Sequence, residues 1–230
     1  MNRTLKATAA IMLMMVFAVS CTKPDDSINS MDVSGNNYGH DYVDLGLPSG
    51  TLWATCNVGA DAPEGYGDYY AWGEHYRKID FGWETYKFSA GGSHSMKKYC
   101  LDPNFGYNGF TDSLIVLEPE DDVATSWLGN WCMPTKEQWE ELDQNTIQSI
   151  TTLNGVEGML FTASNGNRLF LPASALYGSN SHYYGSYWSK TLANKSSDAW
   201  LYYFHHAGDH FVNEFERCQG FPIRPVFLAE

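Results

Sequence analysis

The sequence predicts an α+β fold in which two short helices accompany a mostly antiparallel sheet and long ordered loops. Aromatic residues make up 15% of the chain, charged residues only 18%, and there are 21 glycines. This balance favours β structure with many turns over a helical bundle. The roughly 190 residues that follow an N-terminal leader and linker can bury one sizeable core, so we expect one domain from residue 39 to residue 230.

The first 20 residues have the layout of a bacterial signal peptide. Arg3 and Lys6 form a basic start, residues 11–19 form an apolar run, and Ser20 precedes Cys21. The run is shorter than the ~20 residues that a membrane-spanning helix needs. Residues 1–20 are therefore predicted to be removed on export.

The four residues that end at Cys21 resemble a lipobox, although the usual Leu three positions earlier is Ala18. The resemblance implies that Cys21 carries the lipid and becomes the first residue of the mature chain. Two acyl chains would anchor it stably, and the lipid would be its contact with the membrane. The alternative is ordinary secretion with Cys21 as an unpaired thiol.

The mature chain is strongly acidic. Removal of Arg3 and Lys6 leaves 12 basic residues from the original 14 against 27 acidic ones, which changes the formal charge from −13 to −15. Such a charge argues against a nucleic-acid partner. Residues 21–38 are polar and predict a flexible tether. Within it, Asp25 and Asp26 resemble the acidic signal that sends Bacteroidetes lipoproteins to the outer face of the outer membrane, so we expect exposure at the cell surface.

The first elements of the domain are predicted to form a hairpin. Residues 42–47 alternate, with Val43 and Leu45 inward, and Pro48-Ser49-Gly50 signals a turn. Residues 51–59 then predict a second strand. Its Trp53 faces away from Leu52, Ala54 and Cys56. A short strand is expected at 69–72, and residues 74–112 predict long loops.

Two helices follow. Asp121 and Asp122 suit the N-terminus of a short helix over VATSWL, because carboxylates accept hydrogen bonds from its unpaired N–H groups. The second helix carries a capping box, with Thr135 as N-cap and Gln138 three residues later. Its apolar face consists of Trp139 and Leu142.

After Asn145 the sequence predicts strands. Asn165-Gly166 is the strongest hairpin signal. The short apolar or alternating runs are MLFTA, RLFLPA, SYWSK, AWLYYFH, HFVNEF and FPIRPVF, separated by Asn-Gly, Gly-Ser-Asn and Ala-Gly-Asp turns.

Ordered blocks along most of this domain resemble the Fibrobacter succinogenes major paralogous domain, a family common in Bacteroidetes lipoproteins. One departure is Cys132, where the family usually has Arg. The matching blocks are YVDLGLPSGTLWATCNVGA at 42–60, YGDYYAWGE at 66–74, LEPEDDVAT at 117–125, GNWCMPTKEQWEEL at 129–142, LFLPA at 169–173, YWS at 187–189 and GFPIRPV at 220–226.

The resemblance implies a variant of the C-type-lectin-like fold found in formylglycine-generating enzymes, with two helices and a twisted, mostly antiparallel sheet. This fold hosts both binders and enzymes, so it does not name a function. An enzyme of that type would need two nearby cysteines close to the C-terminus, and this chain has only Cys218 there. No other catalytic motif stands out, so we expect a non-enzyme without a cofactor.

The four cysteines of the domain allow three full pairings. Cys56 with Cys218 is the expected disulfide, since both lie in strand-like framework segments and the compartment is oxidising. Cys100 and Cys132 are the remaining two.

Two groups of residues invite a metal interpretation. His182, His205, His206 and His210 cluster in the last fifty residues, but on a strand His205 would point opposite to His206. Loop and strand-edge histidines are the favoured interpretation. Glu118, Glu120, Asp121 and Asp122 invite a calcium site, but they lack the spacing of a dedicated loop. Helix capping and a solvated face are favoured, and no metal is predicted.

Residues 176–219 are predicted to form a recognition surface. Their Tyr, Ser, Asn, His, Asp and Gly content is typical of antibody-like binding loops. Tyr187, Trp188, Trp200 and Tyr202 are assigned instead to the framework of the strands. The expected ligand-binding residues are Asn180, His182, Tyr183, Tyr184, His205, His206, Asp209, His210 and Asn213.

The same region resembles the variable proteins of diversity-generating retroelements, in which mutated Asn codons yield Tyr, His, Ser, Asp and Asn. Glu216 does not fit that pattern. The first functional hypothesis is a surface lipoprotein that binds an extracellular protein or glycan through these loops. The alternatives are an enzyme of the formylglycine-generating type and a structural part of an envelope or pilus assembly.

Overall fold

The computed structural model describes residues 28–127, 130–174, 177–178 and 183–229. Across these residues the chain is α+β, with three sheets whose strands pair antiparallel, one α-helix and three short 3-10 helices. None of these helices is long and apolar enough to cross a membrane. The signal peptide and Cys21 lie outside the described residues.

The strands fall into a four-stranded sheet, β1-β2-β3-β10, and two three-stranded sheets, β4-β5-β6 and β7-β8-β9. In chain order the elements are β1 Gly35–Asn37, β2 His40–Asp44, β3 Thr51–Ala54, α1 Lys136–Asn145, β4 Thr146–Leu153, β5 Val156–Ala163, β6 Arg168–Pro172, β7 Tyr184–Leu192, β8 Asp198–His205, β9 His210–Glu216 and β10 Val226–Leu228.

The predicted hairpin at the start of the domain is confirmed. Val43 on β2 pairs with Trp53 on β3, and both side chains are completely buried. Gly50 closes the turn by donating its N–H to the Leu47 carbonyl, with φ of +74°. That left-handed conformation favours glycine. The strand expected at 69–72 is not formed, and Tyr70 makes only an isolated bridge to Phe221.

The helix α1 begins at the predicted capping box. Thr135 Oγ1 accepts a hydrogen bond from the Gln138 N–H at 3.1 Å, and Gln138 Oε1 accepts one from the Thr135 N–H at 2.9 Å. The two apolar side chains of the helix, Trp139 and Leu142, are fully buried. Local hydrogen bonding and burial therefore agree on where this helix lies.

The other predicted helix is wrong in type. Residues 119–126 form two 3-10 helices, Pro119–Asp121 and Val123–Ser126, instead of an α-helix. Asp122 separates them with extended backbone angles of φ −96° and ψ 107°. Its carboxylate caps the second turn by accepting from Ala124 N, and it also accepts from Met133 N. The predicted capping role of Asp122 is thus present, but the turn that it caps is the 3-10 helix Val123–Ser126 and not an α-helix.

Residues 28–38 are part of the fold, although the sequence assigned them to the tether. The Ile28 N–H donates to the carbonyl of Thr152 on β4, and the Ile28 carbonyl accepts from the N–H of Asn154, just after β4. Asp32 pairs with Arg168 on β6 at 2.9 Å. These contacts, together with β1, attach the segment to two sheets, so the ordered domain starts at least ten residues earlier than predicted.

The described residues form four apolar clusters, of which two are large and are called the first and the second core. The first contains Trp72, Trp188 and Phe221, and the second contains Trp53, Trp139 and Tyr202. Tyr187, Trp188 and Tyr202 are completely buried, as expected of framework residues, whereas Trp200, which was assigned to the same framework, is only partly buried. The strands β7 and β8 contribute to both cores, so the sheet β7-β8-β9 is firmly held.

The predicted disulfide between Cys56 and Cys218 is not formed. Cys56, Cys100, Cys132 and Cys218 are all free thiols. Cys56 lies partly exposed with its sulfur 3.6 Å from Thr55 Oγ1, whereas Cys218 is buried in the first core beside the Gln219 amide. Each sulfur thus has a separate environment, and the sheet does not bring them together.

Candidate functional site

One end of the sheet β7-β8-β9 gathers the predicted recognition residues. Tyr184 at the start of β7 pairs with His205 at the end of β8, and Phe204 pairs with His210 at the start of β9. A turn at residues 206–209 joins β8 to β9, with Gly208 at φ +95°. Strand pairing therefore places residues more than twenty positions apart in sequence at one edge.

The His206 ring contacts two other rings at this edge. The centroids of Tyr183 and His206 are 5.1 Å apart, and those of His205 and His206 are 4.2 Å apart. The His206 N–H also donates to the Tyr183 carbonyl at 2.6 Å. We call Tyr183, Tyr184, His205, His206 and Asp209 the aromatic turn. The opposite orientation expected of His205 and His206 on a strand does not apply, because β8 ends at His205 and His206 already belongs to the turn.

The hydrogen bonds of the turn define how its histidines are protonated when neutral. The Ala207 N–H donates to His205 Nδ1 at 3.2 Å, so this nitrogen accepts. The His205 proton then lies on Nε2, which donates to His206 Nδ1 at 3.2 Å. His206 consequently carries its proton on Nε2. The turn thus combines an imidazole N–H donor with the Tyr183 ring, which is 61% exposed.

A shallow depression of about 470 Å³ lies beside the aromatic turn. It is lined by Tyr203, His205, Asp209, His210 and Phe211. Burial raises the pKa of Tyr203, and the Tyr184 and Asp209 groups raise it further, so its hydroxyl stays protonated at neutral pH. The sequence predicted the two histidines and the aspartate, but it missed Tyr203 and Phe211, whose rings are 5.2 Å apart. Every second residue of β9 is exposed, and this alternation places Phe211 on the exposed face.

His210 is anchored to the helix. Its Nδ1 lies 2.7 Å from Asp143 Oδ1, which also accepts the hydrogen bond of the Tyr202 hydroxyl at 2.6 Å. Burial, followed by the Asp143 carboxylate, raises the pKa of Tyr202. His210, which lines the depression, is therefore joined to α1 through the Asp143 carboxylate, which also binds the Tyr202 hydroxyl. The sequence did not predict these contacts.

Asn213 lies further along β9, paired with Leu201 on β8. It is exposed between Phe211 and Phe215, which are 47% and 39% exposed. It therefore shares a face with Phe211 but lines no part of the depression. Asn180 and His182, also predicted ligand-binding residues, lie outside the described residues.

The acidic residues near 118–122 are paired with lysines. Glu118, Glu120 and Asp121 meet within 4.8 Å, whereas Asp122 turns to the backbone. Lys98 Nζ lies 2.5 Å from Glu118 and 2.6 Å from Asp121, and Lys87 Nζ lies 2.6 Å from Asp121. Among the described residues this is the one group with the geometry to hold a metal ion. The Lys87 and Lys98 ammonium groups already pair with these carboxylates.

The chain matches no protein-family model, no curated protein and no solved structure.

Proposed function

We propose that this chain is an outer-membrane lipoprotein exposed at the cell surface, and that it binds an extracellular protein or glycan through the aromatic turn. The observation that carries the proposal is the contact between the exposed Tyr183 ring and the His205–His206 pair at the end of a buried sheet. Tyrosine offers large amphipathic contact area at low cost in conformational entropy, and imidazole adds a hydrogen-bond donor.

The strands below the turn support a binding role because they are rigid. Tyr187, Tyr202 and Phe204 are buried directly behind it, and Asp143 fixes His210 to the helix. Side chains held in place by a packed framework lose little freedom when a ligand binds. The depression with Tyr203 and Phe211 would extend the contact area beyond the turn.

The finer assignment of the fold is part of the same proposal. The helix opened by the Pro134-Thr135 turn, the antiparallel sheets and the long ordered loops between 55 and 118 fit a C-type-lectin-like domain. Such a domain supports the further proposal that the turn was diversified by a retroelement. An adjacent near-repeat in the genome that differs at adenines, next to a reverse transcriptase gene, is the expected finding, and its absence would refute this origin.

The proposal assigns no catalytic role to Cys218. Burial raises the pKa of this thiol to about 12, which disfavours the thiolate needed by a reactive cysteine. Its sulfur is surrounded by the first core.

A glycan and protein array probed with the full chain tests the binding function. The triple variant Tyr183→Ala/Tyr184→Ala/His206→Ala should bind at least one array hit about tenfold more weakly, or weaker still, than the wild type. The matched control replaces the same residue types at exposed positions away from the turn: Tyr38, Tyr107 and His94. Unchanged binding of every array hit by a folded triple variant would refute the site. Stable co-purification with envelope proteins, without array hits, would favour a structural role.

The lipid anchor is tested separately. Metabolic labelling with an alkyne fatty acid should mark the wild type and not Cys21→Ser, because a thiol is needed for acylation. Protease added to intact cells should remove the domain if it is displayed outside. Protection from protease in intact cells, with digestion after lysis, would instead place the domain in the periplasm.

A further inference from the structure

A second cavity, of about 430 Å³, opens between residues 67–69, residues 77–79 and Tyr177. It shares no lining residue with the depression beside the aromatic turn. Its volume lies in the range of small-molecule sites, about 300–1,000 Å³. We propose that this cavity binds a neutral sugar, as a free monosaccharide or as one residue of a glycan.

One wall of the cavity is aromatic. The Tyr177 ring lies 5.5 Å from that of Tyr69 and 4.8 Å from that of Phe81, measured between centroids. The Tyr69 hydroxyl is 2.7 Å from Ser174 Oγ, and the Tyr177 N–H donates to the Gly220 carbonyl at 3.1 Å. These contacts hold Tyr177 in place while 39% of it stays exposed. A fixed ring face of this kind suits the C–H face of a pyranose.

The other wall carries an ion pair. Asp68 Oδ2 lies 2.8 Å from Arg77 Nη2, and the carboxylate is held well inside the surface, with 18% of the side chain exposed. Gly67 allows this placement, since a Cβ there would lie 2.4 Å from the Val58 carbonyl oxygen. The Asp68 carboxylate can accept hydrogen bonds from some hydroxyls, and the Arg77 guanidinium beside it can donate hydrogen bonds to others. Vicinal sugar hydroxyls use both kinds of partner.

The charges of the cavity favour a neutral ligand. Asp68 and Arg77 offset each other, and the Lys78 ammonium is offset by Glu74, 2.7 Å away. An anionic ligand would face the Asp68 carboxylate, and a cationic one would face Arg77. A purely apolar ligand would remove water from the ion pair without replacing its hydrogen bonds, which costs free energy. A neutral polyhydroxylated ring can pack against the aromatic wall and form hydrogen bonds with the polar wall.

This site does not depend on the aromatic turn, so the two proposals can fail separately. The test is saturation-transfer-difference NMR on the full chain, kept in a detergent without a sugar headgroup. The probes are the methyl glycosides of glucose, galactose, mannose and N-acetylglucosamine, with glucuronate and glucosamine as charged comparisons. At least one neutral glycoside should bind when present at about 10 mM.

Variants then locate the binding. Tyr177→Ala and Asp68→Asn should each weaken it about tenfold or more, whereas Tyr177→Phe should keep it because the ring remains. Arg77→Gln should also weaken it, and its 76% exposed side chain makes this change safe for folding. Tyr107→Ala, at an exposed tyrosine outside the cavity, and the aromatic-turn triple variant should bind like the wild type.

Four results would overturn the proposal. The first is no binding of any neutral glycoside, and the second is a preference for the charged sugars. The third is binding that survives Tyr177→Ala, Asp68→Asn and Arg77→Gln in folded protein. Loss of sugar binding in the aromatic-turn variant alone would place the sugar-binding site at the aromatic turn and likewise exclude the cavity.

Discussion

The imidazole of His210 lies with Nδ1 2.7 Å from Asp143 Oδ1, and this contact joins β9 to the helix α1. The same oxygen accepts the Tyr202 hydroxyl at 2.6 Å. Tyr202 is stacked on Trp139 of the helix at 5.1 Å between ring centroids. One carboxylate therefore connects the floor of the candidate site to the second core.

Asp143→Ala should lower the free energy of unfolding by about 1–3 kcal/mol, because the buried Tyr202 hydroxyl loses its acceptor. In Asp143→Ala/Tyr202→Phe no orphaned hydroxyl remains, so the loss should be smaller than the sum of the two single losses. Urea unfolding measures the free energy of unfolding of Asp143→Ala, Tyr202→Phe and the double variant. Gln144→Ala, at the next exposed helix position, should be nearly neutral. Additive losses would contradict the direct hydrogen bond.

Local signals explain which elements the sequence predicts. The capping box of α1 needs only Thr135 and Gln138, and the β5–β6 hairpin needs a turn at Gly166, whose φ is +89°. The strand β4 was missed because it follows the helix directly, without a turn signal, and carries several polar residues. Its eight-residue ladder with β5 stabilises it, and that pairing is not local information.

The candidate site was predictable in composition but not in contacts. Tyr183, His205 and His206 belong to a Tyr- and His-rich stretch, which identified the region. Tyr203 joins Phe211 through the register of β8 and β9, and His210 meets Asp143 from 67 positions away. Register and long-range partners depend on how the sheet packs on the helix, so no local pattern carries them.

Gly185 should tolerate no side chain. A Cβ at this position of β7 would lie 2.2 Å from Phe204 Cζ, and Phe204 is buried directly opposite on β8. Gly185→Ala should therefore destabilise the protein by about 1–3 kcal/mol, since a packed core resists added volume. Thermal or urea unfolding gives the value. Gly82→Ala, whose nearest neighbour would be 3.6 Å away, is the control and should cost much less. Equal stability of the two variants would show that Phe204 can move aside.

The four domain cysteines should differ in reactivity. Cys56 is partly exposed, whereas Cys100 and Cys218 are completely buried. Burial raises the pKa of Cys218 to about 12 and also raises the pKa of Cys100 and Cys132. Iodoacetamide at neutral pH should thus modify Cys56 first, and Cys218 only after unfolding.

Peptide mass mapping of native and denatured samples, without reduction, reads out this order. Cys56→Ser should abolish the early label and leave the denatured labelling of Cys218 unchanged. A peptide linked through Cys56 and Cys218 would contradict the free thiols, as would early modification of Cys218.

The attachment of residues 28–38 should weaken in acid. Asp32 accepts hydrogen bonds from the backbone N–H and the Nε of Arg168, both at 2.9 Å, and these bonds hold the pKa of the carboxyl below its usual 3.8. Because ionisation is easier in the folded state, the pair stabilises the protein above about pH 3.8. This contribution is lost as the pH falls through the lower folded pKa. The pair is one-third exposed, so its contribution should stay below about 1 kcal/mol.

Asp32→Asn should therefore lower stability at neutral pH and equal the wild type once the pH falls below the lowered folded pKa of Asp32, where both side chains are uncharged. Unfolding curves across the acid range, at constant ionic strength, test this convergence. Hydrogen exchange should show faster opening of residues 28–37 in the variant, since Asp32 ties that segment to β6. Glu84→Gln, at an exposed carboxylate in the loop region, should follow the wild-type curve throughout. A constant difference between Asp32→Asn and wild type at every pH would mean that packing, not the charge of Asp32, holds the segment.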